Sequence, residues 1–173
     1  LGYLHETGDG VTQDYMRARI LYQSAVDRGL DDARLRLAIC HLEGWGGPVD
    51  RAAFLRELRA AAESDYVPAQ RILSSVYFMG FGVPDDPAEG LRWIERAARL
   101  NDPSAQLQLG RTAEALRRMG LMSDLALARD WYKLSAEQEY LAAMRALARS
   151  FFVPSSTDFN VTTGRRWWEL ATE

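Results

Sequence analysis

The feature that most constrains this chain is a stride of thirty-six residues. Gly80 and Gly82 stand thirty-six positions after Gly44 and Gly46, which stand thirty-six after Gly8 and Gly10. Asp14, Asp50 and Asp86 keep the same spacing, as do Ala25, Ala61 and Ala97. A fixed period of this length marks a solenoid, in which one supersecondary unit is stacked and each copy buries its apolar face on its neighbours. Each residue therefore has to be read together with its column.

Within a copy the pattern is helix, glycine turn, helix. Leu1-Gly2-Tyr3-Leu4-His5 ends a first helix and Gly8-Asp9-Gly10 breaks it, because a tight helix exit needs a positive φ. Ala18, Leu21, Tyr22 and Ala25 then fall at i, i+3, i+4 and i+7, one apolar helical face. The second copy, 31–66, opens on Asp31 and Asp32, suited to a helix N-terminus, and carries Ala33, Leu37, Ala38 and His41 on its first helix (helix A). Gly44 to Pro48 form its turn, and Phe54, Leu58, Ala61 and Ala62 its second helix (helix B), where Glu57 replaces a bulky neighbour of Leu58. The third copy, 67–102, is the most regular, with Pro68 expected at the first helical position, where its missing N–H is not needed.

The fourth copy, 103–140, keeps Ala105, Leu109 and Gly110 but loses the Gly-x-Gly. Trp131 follows Trp93 by thirty-eight positions, so two residues are inserted within 116–124, and helix A is expected to run on to a turn near Gly120. The fifth, 141–173, has Ala143, Leu147, Ala148 and Phe151, an irregular connection from Val153 to Asn160, and Trp167-Trp168 on helix B. The expectation is an all-α fold: an α/α solenoid of about five helix-turn-helix repeats, the first (1–30) and last incomplete, forming one repeat domain over residues 1–173. Because Leu1 to Leu4 match the middle of a repeat, the sequence reads as a piece of a longer chain, and no targeting segment is legible at this end.

Packing explains the recurring residue types. Ala, Gly or Ser at positions 2, 38, 74, 110 and 148 lets helix backbones approach, while flanking Leu and aromatic side chains fill the space beside them. Ala18, Gly90, Ala128 and Gly164 form a second small column on helix B, which Phe54 interrupts, so the packing there is expected to differ.

Composition narrows the function. A net charge of -3 argues against a nucleic-acid binder held by phosphate attraction. The lone Cys40 forms no internal disulfide. No apolar run of eighteen residues appears, so no membrane insertion is expected. Lys133 is the single lysine among 21 basic residues, a bias common in GC-rich bacterial genomes, with cytoplasm and periplasm both open.

The pattern Ala-x3-Leu-(Gly/Ala/Ser)-x2-Tyr-x2-Gly-x-Gly-Val-x2-Asp stands at Ala69, Leu73, Ser74, Tyr77, Gly80, Gly82, Val83 and Asp86. A following helix of the form Ala-x2-Trp-Tyr-x2-Ala-Ala is represented by Trp131, Tyr132 and Ala136. Together these resemble the Sel1-like repeat, a branch of the tetratricopeptide (TPR)-like superfamily, over essentially the whole chain. The resemblance implies a right-handed superhelix with a concave surface that serves as a non-enzymatic adaptor for a protein or peptide partner. Cysteine-rich members close each repeat with a disulfide; this sequence lacks those cysteines.

Chemistry-bearing residues have simpler explanations. His5 and His41 share a column with Tyr77 and Phe151, which favours packing over metal binding. Asp31-Asp32 and Asp85-Asp86 stand at helix starts, where capping accounts for them better than acid-base chemistry. Trp93, Trp131, Trp167 and Trp168 recur at helical spacing with Ala and Leu, as core residues do. Gly8-Asp9-Gly10 and its copies are too short for a phosphate cradle, and Asn160-Val161-Thr162 is a weak glycosylation pattern. No catalytic residue, cofactor site or metal site is assigned.

If helix A lines the groove, three columns face a partner. They are Leu35, Arg71, Leu107 and Arg145; then Tyr3, Ile39, Ser75, Arg111 and Arg149; then Glu6, Leu42, Phe78, Glu114 and Phe152. Apolar residues early and Arg71, Arg111, Arg145 and Arg149 late suit a peptide with a hydrophobic segment and an acidic or carboxylate end. A solvated, salt-bridged surface is the competing account. Other function classes are a spacer array between domains and a small-ligand binder or cell-wall hydrolase.

Overall fold

The computed structural model describes residues 1–120, 125–153 and 160–172, and among them every regular element is helical. The order is α1 (Gly2–Thr7), α2 (Tyr15–Val26), α3 (Asp31–Glu43), α4 (Arg51–Glu63), α5 (Val67–Met79), α6 (Pro87–Arg99), α7 (Pro103–Arg118), α8 (Ala126–Ala136), α9 (Leu141–Ser150) and α10 (Val161–Leu170). Odd-numbered helices are A helices and even-numbered ones B helices, so the fold is the α/α solenoid of paired helices that the period demands. None of these helices is long and apolar enough to cross a membrane.

The hairpin turn is built the same way in the first three repeats. Gly8, Gly44 and Gly80 adopt left-handed φ of 76°, 74° and 64°, and their N–H groups donate to Leu4, Cys40 and Val76 carbonyls. The chain then extends to Asp14, Asp50 and Asp86, whose N–H groups donate back to the His5, His41 and Tyr77 carbonyls. Each aspartate caps its B helix by accepting from Arg17, Ala53 or Glu89 N–H, and Asn160 does so for α10 through Thr163. The acidic pairs noted in the sequence are thus mainly helix-start chemistry: Asp86 caps α6, Asp31 lies 3.7 Å from Arg34, and Asp32 accepts from the Tyr66 hydroxyl.

A second left-handed column ends the B helices: Gly29, Asp65, Asn101 and Glu139, with φ of 82°, 64°, 65° and 59°. Two buried glutamines secure it. Gln70 Nε2 donates to the Ala62 carbonyl and to Asp65 Oδ1, and Gln106 Nε2 does the same with Ala98 and Asn101.

The described residues fall into two compact units, Leu1–Trp93 and Ile94–Glu173, dividing within α6. In the first, Ala38, Leu58, Ala61, Ala69 and Leu73 are fully buried in one cluster, and Tyr22, Leu37 and Cys40 belong to another. Phe54, the interruption of the small column, is buried and meets Phe81 edge-on at 6.2 Å. In the second unit Leu125, Tyr132, Ala143 and Leu147 form the core, with Trp167 packed against it. Helix α7 has 16 residues against 13 in α3 and α5, and Gly120 turns the chain at φ 75°. The rest of the inserted segment, and the connection at 154–159, lie outside the described residues.

Candidate functional site

In the first unit the groove columns divide by burial. Leu35 is 8% exposed and belongs to the core, while Ile39 and Leu42 pack half-buried against the same cluster. The leucine in that first column is therefore not available to a partner; Arg71 is exposed. Ser75 Oγ donates to the Arg71 carbonyl, and Phe78 lies against Gly90, where a Cβ would meet its ring at 3.1 Å. Tyr3 lies beneath the Arg36 guanidinium, 5.3 Å from ring centroid to Cζ. Arg36 Nη1 also reaches Glu6 Oε1 at 3.3 Å, and Glu6 Oε2 accepts from the buried Tyr22 hydroxyl. Burial and the bond to Glu6 push the Tyr22 phenol well above its usual range, so it donates rather than ionises.

The second unit places Leu107 in the core at 4% exposure, so it too is withdrawn from its column. Arg145 is exposed, and its carbonyl accepts from Arg149 Nε at 3.3 Å. Phe152 is 38% exposed and covers Gly164. Arg111, Glu114 and Arg149 do converge: with Arg118, Tyr132, Ala146, Ser150 and Val153 they line one cavity of about 470 Å³. Glu114 accepts from Tyr132 Oη at 2.8 Å and pairs with Arg118 at 2.6 Å. Burial, then the Glu114 bond, raise the Tyr132 phenol above its ordinary value.

Tyr132, Ala146 and Ser150 escaped the column reading. Tyr132 belongs to the helix B repeat pattern, and Ala146 matters by what it leaves empty. One signal was legible: Glu stands in column three only at Glu6 and Glu114, and those are the repeats with Tyr22 and Tyr132 on helix B.

The other chemistry-bearing residues are structural in their surroundings. His41 Nδ1 lies 3.1 Å from Arg19 Nη2, and the His5 carbonyl holds a turn. Among the described residues no group of three His, Cys, Asp or Glu side chains is placed to hold a metal ion. Burial pushes the Cys40 thiol up to about 11, so it is a packed thiol and not a thiolate. Trp168 departs from its core reading: it is 45% exposed, whereas Tyr22 and Tyr132, in the same column, are buried.

The model of the Sel1 repeat matches residues 1–30, 31–53, 67–102 and 103–140. The chain belongs to the Sel1 repeat family. Members of this family are generally non-enzymatic helical scaffolds for protein–protein interaction.

The first Sel1 match spans the whole opening repeat, and the third coincides with the most regular one. A Sel1 repeat protein from Oxalobacter formigenes superimposes with a TM-score of 0.82 at 25% identity, over 99% of this chain and 69% of that one. A protective antigen of uropathogenic Escherichia coli strains, displaying an SLR fold, gives 0.83 at 29% identity, over 99% of this chain and 36% of the antigen. Chitin synthase regulatory factor 3 of Schizosaccharomyces pombe is 28% identical over 156 residues, 87% of this chain and 17% of that protein. The chain spans 17% to 20% of the length of the curated relatives it matches.

Proposed function

We propose that this Sel1 repeat chain is a non-enzymatic adaptor that binds a protein or peptide partner along the groove expected on its A helices, with arginine and aromatic side chains as anchors. The observation that carries this reading is the convergence of Arg111, Glu114 and Arg149 from α7 and α9 on one cavity. Family membership supports it, and so does the fission-yeast relative, a chitin synthase regulatory factor. Arg71, Ser75 and Phe78 on α5 offer a further anchor set in the first unit, and Arg145 and Phe152 extend that of the second. Buried aromatic and arginine anchors carry most of the energy at such surfaces.

The test is affinity capture from lysate of the source organism, followed by titration of the captured protein in purified form. An Arg111→Ala/Arg149→Ala variant, matched in melting temperature, is expected to lose at least about tenfold in affinity, the scale of a lost charge-assisted contact. Unchanged affinity moves the contact surface elsewhere. The small share of its relatives that the chain covers favours a second reading, a spacer array. Failure of every repeat surface to hold a partner would put the spacer first.

A further inference from the structure

The two units carry the same inner motif and differ in what fills the space above it. In the first, a carboxylate on an A helix (Glu6) takes a hydroxyl from the following B helix (Tyr22), and Arg36 of the next A helix lays its guanidinium on that carboxylate and over the Tyr3 ring. In the second, Glu114 and Tyr132 repeat the first two parts. The third is changed. The register runs 36, 72, 108, 146, so the place of Arg36 belongs to Ala146; it runs 3, 39, 75, 111, 149, so Tyr3 and Ile39 correspond to Arg111 and Arg149. Between the two versions the cation leaves the centre, two cations appear at the flanks, and the centre becomes the cavity of about 470 Å³.

The cavity's charges favour one kind of occupant. Arg111, Arg118 and Arg149 line it against the single carboxylate of Glu114. That carboxylate is already engaged on both oxygens, Oε1 by Arg118 and Oε2 by Tyr132. Neither Arg111 nor Arg149 forms an ion pair among the described residues. The Ser150 wall is neutralised from behind, where the buried Arg129 donates to its carbonyl at 2.7 Å and its hydroxyl oxygen at 3.2 Å. A guanidinium entering here would meet two flanking cations and a carboxylate with no free oxygen. An anion would meet two exposed guanidinium groups that form no ion pair among the described residues, and arginine–carboxylate pairs are among the stronger charge-assisted contacts. A doubly charged anion would be repelled more strongly by Glu114 than a singly charged one.

We propose that the cavity between α7 and α9 is a carboxylate socket, in which an acidic side chain or chain end of a bound peptide lies between Arg111 and Arg149. The proposal rests on the peptide-binding reading above and names the chemistry its site recognises.

The test follows the Arg111 and Arg149 Nε–H signals by NMR in ¹⁵N-labelled protein. Four probes are titrated: N-acetylglutamate methylamide, which carries a side-chain acid; N-acetylalanine, a chain-end acid; N-acetylglutamine methylamide, their neutral counterpart; and inorganic phosphate. Saturable shifts are expected with at least one of the acids and none with the amide, and the stronger acid identifies the source of the carboxylate. Arg149→Ala is expected to weaken that binding about tenfold. Ala146→Met, which fills the centre without adding charge, is expected to abolish it at an unchanged melting temperature.

Equal shifts from acid and amide, or undiminished binding by Ala146→Met, would overturn the socket. Tighter binding of phosphate than of either acid would overturn the choice of carboxylate. A captured partner that still binds while both acids fail would sink the socket and spare the adaptor. Acids that bind in a protein with no partner would do the reverse.

Discussion

At His41 the fold sets an imidazole against a cation. Burial, and then Arg19 beside it, lower the His41 pKa, while Asp50 and Glu57 oppose the shift. The unfolded chain then takes up a proton that the folded chain resists, so stability is highest above about pH 6.5 and falls as the pH drops below it. The loss is complete once the pH has passed the lowered folded-state value. His41→Gln is expected to flatten that part of a melting-temperature profile; an unchanged slope would place the titrating group elsewhere. Glu139 is a second costly position, since its φ of 59° is one that L side chains resist. Glu139→Gly is expected to raise stability by about 0.5–1 kcal/mol in urea denaturation, as befits a column that begins with Gly29. The packing role of His41 was legible from its column mates Tyr77 and Phe151. Its meeting with Arg19, twenty-two residues away, depends on which faces of α2 and α3 oppose each other, which a period does not reveal.

At the scale of the helix pair, three columns vary together. Gly2, Glu6 and Tyr22 recur as Gly110, Glu114 and Tyr132, whereas the second repeat has Ala38, Leu42 and Leu58. Geometry supplies the reason: a Cβ on Gly2 would lie 2.8 Å from the Tyr22 ring, and one on Gly110 would run into the Tyr132 ring. The tyrosine needs glycine for room and glutamate for its hydroxyl. Gly110→Ala is expected to cost about 1–3 kcal/mol by overpacking. Glu114→Ala is expected to cost a similar amount, about 1–3 kcal/mol, by leaving a buried hydroxyl unpaired. The triple change to Ala, Leu and Leu at 110, 114 and 132 is expected to recover most of either loss in thermal melts; additive losses would show that the columns do not depend on one another. The small column was plain in the sequence as a packing device. Glu114 was legible as a groove residue, but its inward bond to Tyr132 showed only in the shared occurrence of Glu and Tyr in the first and fourth repeats, because the column fixes a side chain's position along the helix and leaves its direction open. For the same reason Leu35 and Leu107, set beside arginines by the period, were read as surface although the neighbouring helices draw them into the core.

For the whole molecule, a repeat array distributes its stability between neighbours, so damage should be local. Leu147, 2% exposed in the second unit's core, tests this. Leu147→Ala is expected to cost about 2–5 kcal/mol and to speed amide exchange in α8 to α10 more than in α2 to α4. A uniform rise across all helices would mean a single cooperative body. The thirty-six-residue stride made the all-helical repeat architecture legible before any coordinate, since glycine turns and aspartate caps are local chemistry repeated. The cavity was not legible in the same way: it exists because Ala146 is short where Arg36 is long, and an alanine on an A helix carries no sign of what it fails to fill.

The linked Gly, Glu and Tyr columns bear on how such arrays diverge. A step between the two versions by point mutation passes through a clash or an orphaned hydroxyl, each costing a sizeable part of a marginal stability. Drift by single substitutions is therefore confined within one version. Exchange or duplication of an entire repeat carries all three residues at once and crosses that barrier without visiting either faulty intermediate. The first and fourth repeats, which share one version across two intervening copies of another kind, are what inheritance by whole repeats would leave behind.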